Sequence, residues 1–205
     1  YKSYGPQYPR GIQEGNGVPA DGDLWVSYSV NKEDMWISRI PVPVEINASA
    51  HADDDFSKNK SIAELTDWNI YSPVWAPVSL EDQWLKLQDK DPFDYAKVER
   101  KIPASKELKV SFDLKAGQNN KGTLHIEFLD ENGIACSRME LTDDGIFRLK
   151  GGSRFANMMK YEAGKVYHVE AVLSTVDRNI QVYVDGKRVG LRMFYAPVAA
   201  VERIV

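Results

Sequence analysis

The chain alternates apolar and polar residues in short runs separated by turn signals. Leu108, Val110, Phe112 and Leu114 interleave with Lys109, Ser111, Asp113 and Lys115, and Leu124, Ile126 and Phe128 interleave with His125 and Glu127. The clearest stretch is Tyr167 to Val189. Tyr167, Val169, Ala171 and Leu173 share one parity there, as do Ile180, Val182 and Val184. Successive side chains on a strand point to opposite faces, so each run has one apolar face to bury. The polar joint from Ser174 to Asn179 predicts a hairpin loop, and Asp185-Gly186 predicts a tight turn. A lone hairpin is not stable in water, so the rest of the chain must supply a second layer.

The remaining segments fit that demand. Gly117 to Gly122, Asp130 to Gly133 and Asp143 to Gly145 read as turns between strands. Regularly spaced short strands predict an all-β sandwich or barrel. Only Arg154 to Tyr161, closed by Gly164, reads as a short helix. Near the start, Leu24, Val26, Tyr28 and Val30 alternate, Asn31 to Asp34 turns the chain, and Met35 to Ile40 returns as a second hairpin, stopped by Pro41 and Pro43. Residues 45–64 carry Asp53-Asp54-Asp55 and few apolar side chains, and read as a connector with a solvated charge run. The expected organisation is residues 1–44, a connector over 45–64, and a sandwich over 65–205.

Composition narrows the function classes. A chain of 205 residues, 43% hydrophobic, is long enough for a sizeable core. Net charge is −4 and no basic run stands out, which argues against nucleic acid or an anionic membrane as partner. Cys136 is the single cysteine, so no intrachain disulfide and no cysteine-based zinc site can form. No apolar run approaches the ~20 residues of a membrane-spanning helix. The chain starts at Tyr1 and ends at Ile204-Val205 within a strand pattern, so it is expected to be a piece of something longer.

Two resemblances add to this reading. Tyr167-His168-Val169-Glu170-Ala171, a polar joint, then Val182-Tyr183-Val184-Asp185-Gly186 resembles concanavalin-A-like lectin/glucanase jelly rolls, including laminin-G and pentraxin-type modules. In those folds the hairpin holds one edge of a two-sheet sandwich. The likeness covers about Leu65 to Val205. Glu14 to Gly17, Asp23 to Ser29 and Asn31 to Pro41 resemble the last blade of a sialidase-like, BNR-type β-propeller. Together these imply an all-β fold, with a two-sheet antiparallel jelly-roll sandwich preceded by a hairpin or blade fragment of a propeller. They also imply a polysaccharide or glycan ligand, an upstream propeller domain, and a secreted, periplasmic or cell-surface location. No cofactor is implied, and calcium is left open.

Candidate chemistry follows from residue types. Retaining glycosidases need two carboxyls about 5 Å apart. Glu127, Asp130 and Glu131 are the nearest set in the sandwich, but their spacing is wrong, so the sandwich is not expected to be catalytic. Loops on a rigid scaffold concentrate functional residues. Glu14 and Glu33 are therefore the catalytic candidates, with Arg10, Asn16 and Lys32 as ligand contacts. Arg39 and Tyr28 match sialidase residue types, yet Tyr28 shares parity with Leu24 and Val26 and is left unassigned. Sugars stack on aromatic faces; of Trp68, Trp75, Trp84, Phe155, Tyr183 and Tyr195, Trp75 and Tyr183 are the assigned candidates. Tyr183 should point away from the core. His125 and His168, each beside a glutamate, could form a metal- or sugar-binding pair if they shared a sheet face; isolated surface histidines are the plainer alternative. Three functions stay open: a glycan-binding or propeller-bracing module, part of a glycosidase or polysaccharide lyase, and a structural module without ligand.

Overall fold

The computed structural model describes residues 6–12, 23–30, 34–41 and 52–205. The catalytic candidates Glu14 and Glu33, the ligand candidates Asn16 and Lys32, and His51 lie outside them. The chain divides into two compact units, residues 1–47 with 71–96, and residues 48–70 with 97–205.

In the first unit, β1 (Pro6–Ile12), β2 (Asp23–Val30) and β3 (Asp34–Pro41) form an antiparallel sheet in that order. Proline removes a ladder donor, and β3 ends at Pro41. Tyr28 is half-buried and its hydroxyl shares a hydrogen bond with Ser38 Oγ. β4 (Trp68–Tyr71) precedes the second described part of this unit, where β5 (Val78–Glu81) and β6 (Trp84–Leu87) make a hairpin. Its turn residues, Asp82 and Gln83, both take positive φ, at 50° and 68°. That is the backbone twist a two-residue hairpin prefers.

The second unit is the sandwich. One antiparallel sheet has seven strands. Its members are β4, β7 (Lys97–Ser105), β9 (Leu124–Leu129), β10 (Ala135–Leu141), β11 (Ile146–Gly151), β12 (Arg154–Lys160) and β16 (Val201–Ile204), in the order β12-β11-β10-β9-β16-β7-β4. The other sheet is β15-β14-β13-β8, built from β8 (Glu107–Lys115), β13 (Val166–Ser174), β14 (Asn179–Val184) and β15 (Lys187–Met193). Fully buried Phe128, Met139 and Leu149 belong to the first sheet, and Val169, Leu173, Ile180 and Val182 to the second. Each side chain of this size contributes about 1.5–3 kcal/mol on burial. The expected parity is the one observed.

Three expectations change. The β13–β14 hairpin occupies the middle of the four-stranded sheet, not an edge, because β15 and β8 flank it. Its central place explains why Val169, Ala171, Val182 and Ile180 are all at 0% exposure. Arg154 to Lys160 is strand β12, not a helix. Seven residues are too few for periodicity to separate the two forms, and pairing with β11 from Gly151↔Arg154 to Ile146↔Lys160 settles the segment as extended. His125 and His168 do not share a sheet, since β9 and β13 lie in different layers.

Candidate functional site

The polar parity of the seven-stranded sheet carries a connected row of charged side chains. On β10, Arg138 and Glu140 alternate with the core residues Met139 and Leu141. On β11, Arg148 and Lys150 alternate with Phe147 and Leu149. Strand register places Glu127 of β9 opposite Arg138, and Glu140 opposite Arg148. β12 adds Phe155 opposite Lys150 and Asn157 opposite Arg148.

Glu140 is the centre of this row and is 3% exposed. Arg148 donates to its Oε2 from Nε, and Nη2 of the same guanidinium also lies 2.7 Å from that oxygen, so two nitrogens converge on one carboxylate oxygen. Arg138 and His125 each lie 3.5 Å from its Oε1. Arg138 also donates from Nε to Glu127 Oε1 at 2.6 Å. Burial opposes the Arg138 charge, but hydrogen bonding and attraction to Glu127 outweigh it, so its pKa lies above the ordinary arginine value. The Arg148 guanidinium stacks over the Phe155 ring at 4.3 Å, and Lys150 lies 4.4 Å from the centre of the Tyr195 ring. Burial, with the nearby Glu127 charge, raises the Tyr195 phenol above its usual pKa. Tyr195 is held over this sheet by its backbone N–H, which donates to the Cys136 carbonyl.

Chemically, this is a rigid line of charged hydrogen-bonding groups beside two aromatic rings. A buried carboxylate fixes two guanidinium groups, and Asn157 and His125 stay exposed at its margin. Such a surface can orient hydroxyl groups by paired hydrogen bonds while a ring packs on apolar faces. Among the described residues, no group of three His, Cys, Asp or Glu side chains converges to hold a metal. No helix among them is long and apolar enough to cross a membrane.

The candidates named from sequence lie elsewhere. Tyr183 does point away from the core on β14, where its hydroxyl donates to Gln181 Oε1 and its register partners are Glu170 and Arg188. Trp75 is 54% exposed in the turn before β5, and its carbonyl accepts the Lys90 N–H. Arg10 is exposed on β1. Of the acidic trio, Glu127 joins the charged row, whereas Asp130 accepts the N–H groups of Asn132 and Ile134 to shape a turn. Arg138, Glu140 and Arg148 escaped notice because only the apolar parity of β10 and β11 was followed. The signal was present in the other parity, as charges of both signs at alternate positions on adjacent strands.

Comparison with known proteins bears on this surface. A family model described as "Sialidase-like, CBM domain", a carbohydrate-binding-module family, matches residues 68–205. A solved sialidase matches 99% of this chain at 90% identity with a TM-score of 0.83, and the chain spans 19% of that protein. A Trypanosoma rangeli sialidase in complex with the inhibitor DANA aligns over 98% of this chain and 41% of its own, at 15% identity and TM-score 0.44. Sheep galectin-11 in complex with glycerol aligns over 52% of this chain and 85% of its own, at 16% identity and TM-score 0.41. No curated protein matches significantly. With two thirds of its length matched by that model, the sandwich included, the chain belongs to the sialidase-like CBM-domain family.

Proposed function

We propose that this chain is a glycan-binding accessory part of a longer sialidase-like protein, and that the row centred on Glu140 is its glycan contact. The observation that carries the proposal is the fixed Glu127–Arg138–Glu140–Arg148 line beside Phe155 and Tyr195. Solvated surface charges rarely bury a carboxylate to hold two arginines in set positions, because ordering and desolvation cost more than exposed pairs return. A preorganised binding face recovers that cost when ligand hydroxyls replace water.

The finer assignments are part of the same proposal. Residues 1–44 would be the last blade of a BNR-type propeller, 45–64 the connector, and 65–205 a concanavalin-A-like jelly roll bracing that propeller. The relative at 90% identity is a sialidase. The whole protein would then hydrolyse sialic acid glycosides, with most catalytic groups outside this chain and Glu14 or Glu33 contributing. A secreted, periplasmic or cell-surface location fits a protein that meets glycans.

Titration calorimetry against a panel of neutral and acidic oligosaccharides tests the binding assignment. Arg148→Ala and Glu140→Gln should each weaken binding by about tenfold, the loss of one good charged hydrogen-bond pair. Wild-type affinity retained in both variants, with the fold intact, would remove the Glu140 row from the binding surface.

A further inference from the structure

β8 (Glu107–Lys115) is an edge strand of the four-stranded sheet. It pairs with β13 over its whole length, without a register shift. Among the described residues, no strand pairs with its other side, and residues 107–115 make no backbone hydrogen bond beyond the β13 ladder. Edge strands are commonly guarded by short length, a bulge or a proline. β8 has nine residues, no bulge and no proline. Its core-facing Leu108, Val110, Phe112 and Leu114 are only partly buried, whereas Val169, Ala171 and Leu173 on the next strand are at 1% exposure or less. The apolar parity therefore stops short of full cover at this edge.

The order of side chains along β8 is self-complementary. Set antiparallel to a second copy about Ser111, Glu107 meets Lys115 and Lys109 meets Asp113, each pair occurring twice. Ser111 meets its own copy at the two-fold axis. On the core parity, Leu108 meets Leu114 and Val110 meets Phe112. Opposite charges facing each other across strands stabilise the pairing, and like charges oppose it. The neighbouring registers fail on this rule. Moving the pairing by two residues one way sets Glu107 against Asp113, and the other way sets Lys109 against Lys115. Moving it by one residue sets core-facing residues against solvent-facing ones. Within its own sheet Lys109 reaches Glu170 at 2.7 Å, and Asp113 lies 2.8 Å from His168 Nδ1. The Lys109 and Asp113 side chains are nevertheless 64% and 59% exposed, which leaves room for a second partner on the open side.

We infer that β8 is the contact between two copies of this chain, joined as a symmetric antiparallel strand pair centred on Ser111. The two four-stranded sheets then run on as one continuous sheet. The two-fold axis stands normal to that sheet, so both seven-stranded sheets lie on one side of it and the two Glu140 rows face the same way. The inference goes beyond the glycan-binding reading and needs nothing from it. A single strand pair is a small interface, so the dissociation constant should lie at about 10–100 µM.

Sedimentation velocity of the full 205-residue chain, without glycan and from about 5 to about 500 µM, tests this. Wild type should pass from monomer to dimer across that range. Asp113→Lys sets lysine against lysine, and Lys109→Asp sets aspartate against aspartate, so each variant alone should dimerise about tenfold more weakly or worse. Mixed in equal amounts, the two variants should form a heterodimer of about wild-type affinity, because every facing charge pair is again opposite. Circular dichroism checks that each variant is folded. Ser111→Cys should cross-link to a dimer on mild oxidation, since facing Cα atoms of an antiparallel pair lie about 4.5–5.5 Å apart, within disulfide reach. Lys109→Cys should not cross-link, because its own copy is four residues out of register. A wild-type chain that stays monomeric at about 500 µM would overturn the inference. So would wild-type dimerisation of each charge variant alone, no gain on mixing two folded variants, or equal cross-linking at positions 109 and 111.

Discussion

Arg100 of β7 donates from Nε to Asp54 Oδ2 at 2.9 Å, joining the strand next to the β4 edge of the seven-stranded sheet to the aspartate run that precedes it in sequence. Arg100 shares strand parity with the core residue Ile102 and is 5% exposed. Its Nη2 lies 3.4 Å from Asp67 Oδ2, and its Nη1 donates to the carbonyls of Asp67 and Lys101. Asp54 is therefore a partner to a buried cation, not one of three freely solvated charges. Asp55 shapes the next turn by accepting the Ser57 N–H. Removing a charge partner leaves a buried cation partly unsatisfied, so Asp54→Ala should cost about 2 kcal/mol in urea unfolding. Arg100→Met, which removes the charge and keeps most of the volume, should cost less. Equal stability of wild type and Asp54→Ala would show that the pair is only superficial.

Glu140 and Arg148 are expected to be strongly coupled. Glu140→Ala leaves the Arg138 and Arg148 guanidinium groups close together over a gap, at a cost of about 3 kcal/mol. Arg148→Ala removes the contact to Glu140 Oε2 and the Phe155 stack, at about 2 kcal/mol. The double variant should cost clearly less than the sum, with a coupling energy above about 1 kcal/mol. Strict additivity in the denaturation cycle would mean that the two side chains do not depend on each other.

The contrast between these two sites shows what alternation in the sequence can and cannot convey. Core assignment for Val169, Leu173, Ile180 and Val182 was legible because burial follows strand parity. The turns at Asp130 to Gly133, Asp143 to Gly145 and Asp185-Gly186 were legible because their glycines take φ values of 81°, 76° and 77°. Sheet order was not legible. The joining of β16 between β9 and β7, and the central place of β13–β14, depend on pairings between strands far apart in the chain. The Glu140 row was hidden for the same reason. Glu127, Arg138 and Arg148 become neighbours only when three strands align, and the alternating charges of Arg138-x-Glu140 and Arg148-x-Lys150 gain meaning only from that alignment. Arg154 to Lys160 was misread because a short run with two methionines suits either a helix or an edge strand.

Gly190 is a point of close approach between β15 and the other sheet. A Cβ there would lie 2.7 Å from Met158 Sδ and 3.1 Å from Leu149 Cδ2. Met158 can swing aside, but fully buried Leu149 has little room to move. Gly190→Ala should therefore cost about 1 kcal/mol and Gly190→Val about 3 kcal/mol, read as lower denaturation midpoints. Met158, Tyr167 and Val189 line one cleft, so Gly190→Ala should also shift the Tyr167 and Val189 amides. A Gly190→Val variant as stable as wild type would contradict the close packing of β15.

Cys136 makes stability depend on alkaline pH. Its side chain is fully buried on β10, and burial pushes the thiol from its ordinary 9.0 up to about 12. The neutral thiol is thus favoured in the folded chain. A raised folded-state pKa gives stability that is complete below about pH 9 and is lost as pH rises towards 12. At pH ~10 the loss from this group should be about 1.5 kcal/mol, since each unit of pKa difference is worth about 1.4 kcal/mol. Tyr161, buried with its hydroxyl donating to the Thr142 carbonyl, and Tyr195 have raised values as well and add to the decline above pH ~10. Denaturation of wild type and Cys136→Ala at pH 7 and 10 isolates the thiol. The variant will be less stable at pH 7 through lost packing, yet should lose about 1.5 kcal/mol less than wild type between the two pH values. The native thiol should also resist iodoacetamide at pH 8 and react only on unfolding, because the thiolate is the nucleophile. Parallel pH profiles for the two proteins, or rapid labelling of the folded chain, would refute this account of Cys136.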